Sequence, residues 1–176
     1  CAFAPDGKRI VTACGDGKAR VFSAETGECQ LIIEGEHTNA VTCCCFSHDG
    51  KYILTSSFDK TARLWKANNG TLIKTLGHEN WVNSCAFSFD DQLIVTACDD
   101  KTVRIWDTQS GQLKRTLAGH QDSVRSSCFS ADGNRVISAS DDKTARIWDA
   151  NTGVVLSEFR FNDSVRSCDF TPHSFN

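Results

Sequence analysis

Three groupings of histidine, hydroxyl and aspartate could do chemistry: His37, Thr55 and Asp59; His78, Thr96 and Asp100; His120, Ser138 and Asp142. In each, the hydroxyl residue lies four positions before the aspartate. The aspartate lies six before a tryptophan: Trp65, Trp106 or Trp148. A histidine oriented by an aspartate is the arrangement that turns a serine into a nucleophile. Here it recurs three times at one position of the chain, as a scaffold does and a single active site does not. The strained G-x-S-x-G elbow that presents a nucleophilic serine is absent. A hydrolase would lose activity on Ser138→Ala without losing its fold; we assign no catalytic residue.

The ten cysteines raise metal or redox chemistry next. Cys43, Cys44 and Cys45 are contiguous, whereas zinc sites use pairs separated by two to four residues with a matching second pair. Cys1, Cys44, Cys85 and Cys168 each stand two before a phenylalanine, so on a strand they share its face as small apolar residues. Cys14 and Cys98 likewise repeat in phase, on second strands. Structural thiols of a reduced, cytosolic chain are therefore expected, with no metal and no cofactor. An exposed thiol of low pKa would signal a redox role instead. The D-G of SHDG and SADG is a hairpin signal rather than a phosphate cradle.

Lys60, Arg63, Lys101, Arg104, Lys143 and Arg146 are spread through the chain among acids, and 19 Lys+Arg against 22 Asp+Glu leave a net charge of −3. That balance argues against nucleic acid. No apolar run approaches the ~18 residues of a membrane span, and no basic-then-apolar leader opens the chain, so neither membrane insertion nor secretion is expected.

These residues are positioned by an internal repeat. CAFAPDGKRIVTACGDGKARVF, CCFSHDGKYILTSSFDKTARLW, CAFSFDDQLIVTACDDKTVRIW and SCFSADGNRVISASDDKTARIW align without a gap. Their leading aromatics Phe3, Phe46, Phe87 and Phe129, followed by Phe170, step by 43, 41, 42 and 41 residues. The closing aromatics Phe22, Trp65, Trp106 and Trp148 keep the same phase. Within the third repeat, VNSCAF, LIVTAC, TVRIW and QLKRTL read as four short strands divided by the turns SFDD, DDK and DTQSG. Units of about 40–45 residues with four strands each read as β-propeller blades. The fold class is all-β, with four four-stranded blades and the first strand of a fifth. The repeats run over 1–40, 41–81, 82–123 and 124–164, with a partial one at 165–176. We expect one domain.

The chain resembles the WD-repeat (WD40) propeller family through Gly77–His78, Gly119–His120, Trp106–Asp107 and Trp148–Asp149. The resemblance implies that each blade is pinned by a buried tetrad. By position these are His37, Thr55, Asp59 and Trp65; His78, Thr96, Asp100 and Trp106; His120, Ser138, Asp142 and Trp148. The carboxylate would accept from one imidazole nitrogen, while the hydroxyl accepts from the other and from the indole N–H. Phe22 in place of tryptophan, Phe161 in place of a fifth histidine and Lys66 after Trp65 depart from the pattern. The first and fifth blades are expected to rely on packing.

In that family partners dock on the face bearing the histidine loop and the aspartate turn. Residues there that vary between repeats flank the first-strand valines (Ala40 and Thr42, Trp81 and Asn83, Ser123 and Arg125, Ser164 and Arg166) or precede the turn aspartates (Gly15, Phe58, Asp99, Asp141). Phe58, Trp81, Asn83, Asp99, Arg125, Asp141 and Arg166 are the expected partner-binding residues, since exposed aromatics and arginines dominate interfaces.

The expected function is a non-catalytic protein-interaction scaffold. Alternatives are the sensor or substrate-receptor part of a larger multidomain protein. TCCCF and HENWV resemble segments of apoptosome-type sensors and of centriolar or ciliary WD-repeat proteins. Asn68, Gln109 and Asn151, three after each tryptophan, lack the basic residue of ubiquitin-ligase receptors. A cytoplasmic setting is expected, with cytoskeletal, ciliary or nuclear assembly as other settings. The chain contains no methionine. With four blades and a spare strand, it is expected to be an arc of a seven- or eight-bladed ring completed by further sequence or a second chain.

Overall fold

The computed structural model describes residues 1–170, in which all regular structure is strand. The first sheet holds β1 (Ala2–Phe3), β2 (Arg9–Ala13), β3 (Ala19–Ser23) and β4 (Cys29–Ile33). The second holds β5 (Val41–Phe46), β6 (Tyr52–Ser57), β7 (Thr61–Lys66) and β8 (Leu72–Gly77). β9 (Val82–Phe87), β10 (Leu93–Cys98), β11 (Thr102–Asp107) and β12 (Leu113–Ala118) form the third. β13 (Val124–Phe129), β14 (Arg135–Ser140), β15 (Thr144–Asp149) and β16 (Val155–Arg160) form the fourth. Each sheet runs in chain order, one sheet per repeat. These are four β-propeller blades. No helix is long and apolar enough to cross a membrane among the described residues.

The hairpins follow from the turn residues. Asp49 Oδ1 accepts from the Lys51 N–H at 2.9 Å and the Ser47 hydroxyl at 2.7 Å, while Gly50 takes the left-handed φ of 69° that the turn requires. Asp132 and Gly133 repeat this in the fourth sheet. Asp91 stands at the glycine position of the third at φ 59°, a region aspartate visits more readily than most residues. The turns before β7, β11 and β15 hold Lys60, Lys101 and Lys143 left-handed, at the position where the first repeat has Gly17 with φ 80°.

Register slips one residue where the third strand meets the fourth, at Val21/Phe22, Leu64/Trp65, Ile105/Trp106 and Ile147/Trp148. A bulge re-aims the side chain at which it falls, here the closing aromatic in every repeat.

Two compact units divide the chain, Cys1–Cys85 and Ala86–Asn176. The core of the first sets Val11, Ala19, Val21 and Ile33 of the first sheet against Cys44, Phe46, Ile53 and Trp65 of the second. That of the second sets Val95, Val103, Ile105 and Leu117 against Val124, Phe129, Val136 and Trp148. Each core thus lies between neighbouring sheets, where strand alternation aims one apolar face.

The in-phase cysteines do not share one environment. Cys44, Cys85 and Cys98 are buried, Cys14 and Cys168 are half-buried, and Cys1 is exposed. Cys1, expected on an apolar face, lies where no sheet covers it. After β16 the chain continues with Val165 N–H donating to Ser140 O at 3.0 Å, just as Val41 N–H donates to Cys14 O in the first unit. Residues 163–170 therefore take the course of a fifth blade's first strand. The rest of that partial repeat, 171–176, lies outside the described residues.

Candidate functional site

In the first unit the loop before β5 carries His37 over the turn between β6 and β7. His37 Nδ1 lies 2.7 Å from Asp59 Oδ2 and Nε2 lies 2.7 Å from Thr55 Oγ1, while Trp65 Nε1 donates to Thr55 Oγ1 at 2.8 Å. Asp59 Oδ1 also accepts from Thr61 N–H at 2.9 Å and the Thr61 hydroxyl at 2.6 Å. Arg63 closes the edge, with Nε donating to Thr61 Oγ1 at 3.1 Å and Nη1 to Glu36 Oε2 at 2.9 Å.

The second unit repeats the arrangement. His120 Nδ1 meets Asp142 Oδ2, Nε2 meets Ser138 Oγ, and Trp148 Nε1 donates to the same Oγ, each at 2.7 Å. Asp142 Oδ1 takes the Thr144 N–H and hydroxyl, and Oδ2 takes Gln121 N–H. Gly119 precedes the histidine because a Cβ there would sit 3.2 Å from the Trp148 ring and 2.6 Å from Arg146 Nη1. Thr61 and Thr144 escaped the sequence reading, although D-K-T recurs at 59–61, 100–102 and 142–144 and was the available signal.

The third group draws its residues from both units, and each part is described within its own. Within the second unit Trp106 Nε1 donates to Thr96 Oγ1 at 3.0 Å, Asp100 Oδ1 takes the Thr102 hydroxyl at 2.6 Å, and Asp100 pairs with Arg104 at 2.7 Å. His78 belongs to the first unit, where Nδ1 lies 3.1 Å from Leu76 O.

Burial holds His37 and His120 below the ordinary histidine value of 6.5, against the raising influence of Asp59 and Asp142. The imidazoles are neutral, with Nδ1–H facing the carboxylate, so Nε2 accepts. The Thr55 and Ser138 hydroxyls therefore donate to histidine and accept only from indole, correcting the expected direction of that bond. Burial tends to raise Asp59 and Asp142, but bonds from threonine and histidine, joined at Asp142 by Gln121 N–H, outweigh it and both are lowered.

The sign of the pH dependence follows. The histidines bind protons more readily unfolded, so stability falls as pH drops from 6.5 through their folded values. The lowered aspartates contribute stability present above 3.8 and lost as pH falls through their folded values. Urea midpoints should decline between about pH 7.5 and about pH 5, and the decline should flatten in a His37→Gln, His120→Gln double variant. A wild-type midpoint level across that range would contradict the assignment.

A nucleophile must also be reachable. Ser138 is 0% exposed and His120 4%, each hydrogen-bonded inside the blade. The geometry resembles a triad but offers no room for a substrate in this structure.

The partner-binding candidates fall into two clusters. In the first unit Phe58 stacks on Trp81 with ring centroids 4.6 Å apart and planes tilted by 31°. Phe58 N–H is held by Ala40 O at 3.0 Å, and Trp81 N–H by Asn80 Oδ1 at 2.9 Å. Trp81 remains 44% exposed, and Asn83 beyond it is half-buried. In the second unit Arg125 Nε donates to Asp141 Oδ2 at 2.7 Å and Nη1 to Asp99 Oδ1 at 3.2 Å. Arg125 is thus engaged by the other two candidates rather than presented as an unpaired cation. Arg166 is exposed.

A family model for the WD40 repeat, described as "WD domain, G-beta repeat", matches residues 1–23, 27–66, 70–107 and 111–149. No curated protein matches the chain.

Proposed function

We propose, from the premise that this chain belongs to the WD40 repeat family, that it captures a partner protein on the face carrying Phe58 and Trp81. WD40 propellers are generally non-catalytic protein-interaction scaffolds. The observation that carries this reading is the stacked Phe58–Trp81 pair, with Trp81 44% exposed and its N–H held by the Asn80 side chain. Interface energy concentrates in such rigid aromatic anchors. Aromatic stacking fixes the indole before a partner arrives, which lowers the ordering cost of binding.

Trp81→Ala should reduce partner capture from the native source at least tenfold, the loss of a hot spot worth about 2 kcal/mol, and leave the thermal melt within about a degree. Capture equal to wild type would refute the site.

A second observation bears on assembly. Val95 and Ile105 of the third sheet are buried against the fourth. Their counterparts Ile137 and Ile147 in the fourth sheet are only half-buried, and Leu156 and Phe159 of β16 stand exposed. We read this as a blade face that packs against a further blade of the same type. Light scattering of the 176-residue chain should then give a mass above one chain. A stably folded monomer would refute it.

A further inference from the structure

Thiols from successive repeats meet in the same way once in each unit. Cys43 and Cys45 are alternate residues of β5, and their sulfurs lie 3.7 and 3.8 Å from the backbone carbonyl oxygen of Cys85 in β9. Cys85 itself is buried beside them, and their proximity raises its thiol further above the ordinary value. In the second unit Cys128 Sγ of β13 lies 3.8 Å from Cys168 O and 3.5 Å from Asp169 Oδ1, which brings the two cysteines side by side.

The repeat explains the match. One cysteine immediately precedes the first-strand phenylalanine, as in Cys45–Phe46 and Cys128–Phe129. Its partner lies two before the next one, as in Cys85 with Phe87 and Cys168 with Phe170. Strand alternation turns those two positions toward each other across neighbouring first strands. Ala2 and Ala86 occupy the position in the other repeats, which offer no thiol there.

Within each group the thiols differ in acidity. The hydrogen bond from Cys85 lowers Cys43 to about 6, and that from Cys128 lowers Cys168. Burial pushes Cys85 up, and the bond to Cys168 pushes Cys128 up. The lowered member is the attacking thiolate and the raised member the resolving thiol. Cys43, Cys128 and Cys168 are each half-buried rather than enclosed.

We propose that Cys85 with a β5 thiol, and Cys128 with Cys168, are oxidation sites that close as disulfides by exchange with a low-molecular-weight disulfide such as oxidised glutathione. The Cys43 or Cys168 thiolate attacks one glutathione sulfur. The S–S bond breaks onto the departing glutathione thiolate, leaving a mixed disulfide on the protein. The resolving thiol then attacks the protein sulfur of that bond and expels the second glutathione thiolate. Two protein thiols are oxidised, one glutathione disulfide is reduced to two thiols, and the protein's two protons end on them. Each closure ties one first strand to the first strand of the next repeat.

The test is a peptide map. The native protein is incubated with oxidised glutathione, its remaining thiols are alkylated, and it is digested without reduction. The expected result is a Cys43/Cys45 peptide joined to the Cys85 peptide and a Cys128 peptide joined to Cys168, each two hydrogens lighter than its separate parts. Cys128→Ser should lose the second link, trap glutathione on Cys168 and keep the first link intact. Full alkylation of these five thiols, glutathione adducts without links in the wild type, or links scattered to the exposed Cys1 and Cys29 would each overturn the proposal. So would Cys128→Ser without a trapped adduct.

Discussion

Trp148→Ala is expected to destabilise the second unit by about 3–5 kcal/mol, the range for truncating a buried aromatic. The side chain is wholly buried and fills the space between sheets beside Val95, Ile105 and Val136. Its loss leaves a cavity and also strips Ser138 Oγ of the indole donor at 2.7 Å. Since a domain's total stability is about 5–15 kcal/mol, the effect should be visible as a large drop in the urea midpoint. Trp148→Phe separates the two losses, because it keeps most of the volume and removes only the N–H. Phe22 occupies the same position in the first sheet, so the backbone there accepts phenylalanine. We expect about 1–2 kcal/mol for that variant, the cost of one lost bond and a small void. Equal costs for the two substitutions would mean that packing between the sheets contributes little.

Asp142→Ala should also be damaging, at about 1–3 kcal/mol for a buried donor left unsatisfied. Both carboxylate oxygens are doubly used: Oδ1 by the Thr144 N–H and hydroxyl, Oδ2 by His120 Nδ1 and Gln121 N–H. Alanine strands all four donors, and His120 is too buried to recover them from water. Asp142→Asn should cost less. It restores one acceptor oxygen but sets an amide N–H₂ against the other donors, forcing His120 toward the opposite tautomer, with Nε2–H competing with Trp148 for Ser138 Oγ. A denaturation series ordering wild type, Asn, then Ala supports the network. An alanine variant indistinguishable from wild type would remove the tetrad as a source of stability.

Much of this was legible from spacing alone. The strands of the third repeat read from VNSCAF, LIVTAC and TVRIW lie at Val82–Phe87, Leu93–Cys98 and Thr102–Asp107. The groups around His37 and His120 form within the units, because histidine loop and aspartate turn sit at the same end of one blade. The direction of the hydroxyl bond was not legible, since it depends on imidazole protonation and so on burial. Nor was the engagement of Arg125 by Asp99 and Asp141: Asp99 lies in a turn of the third sheet and Arg125 on the first strand of the fourth. Trp81 and Phe58 could be nominated as unrepeated aromatics, but their stacking needed the two loops placed in space.

The sequence by itself determined the repeat length, the order of strands, the hairpin turns and which residues share a strand face. These depend on neighbours a few positions apart, and the pleat and turn geometry read such spacing directly. Only the tertiary structure decided which faces touch. Cys44 enters a core while Cys43 and Cys45 turn to Cys85, and Arg125 is held between two aspartates. Those contacts join residues up to about 40 positions apart, where what matters is how one sheet stacks on the next. A local pattern leaves that stacking open, and side-chain packing and hydrogen bonding between the sheets settle it.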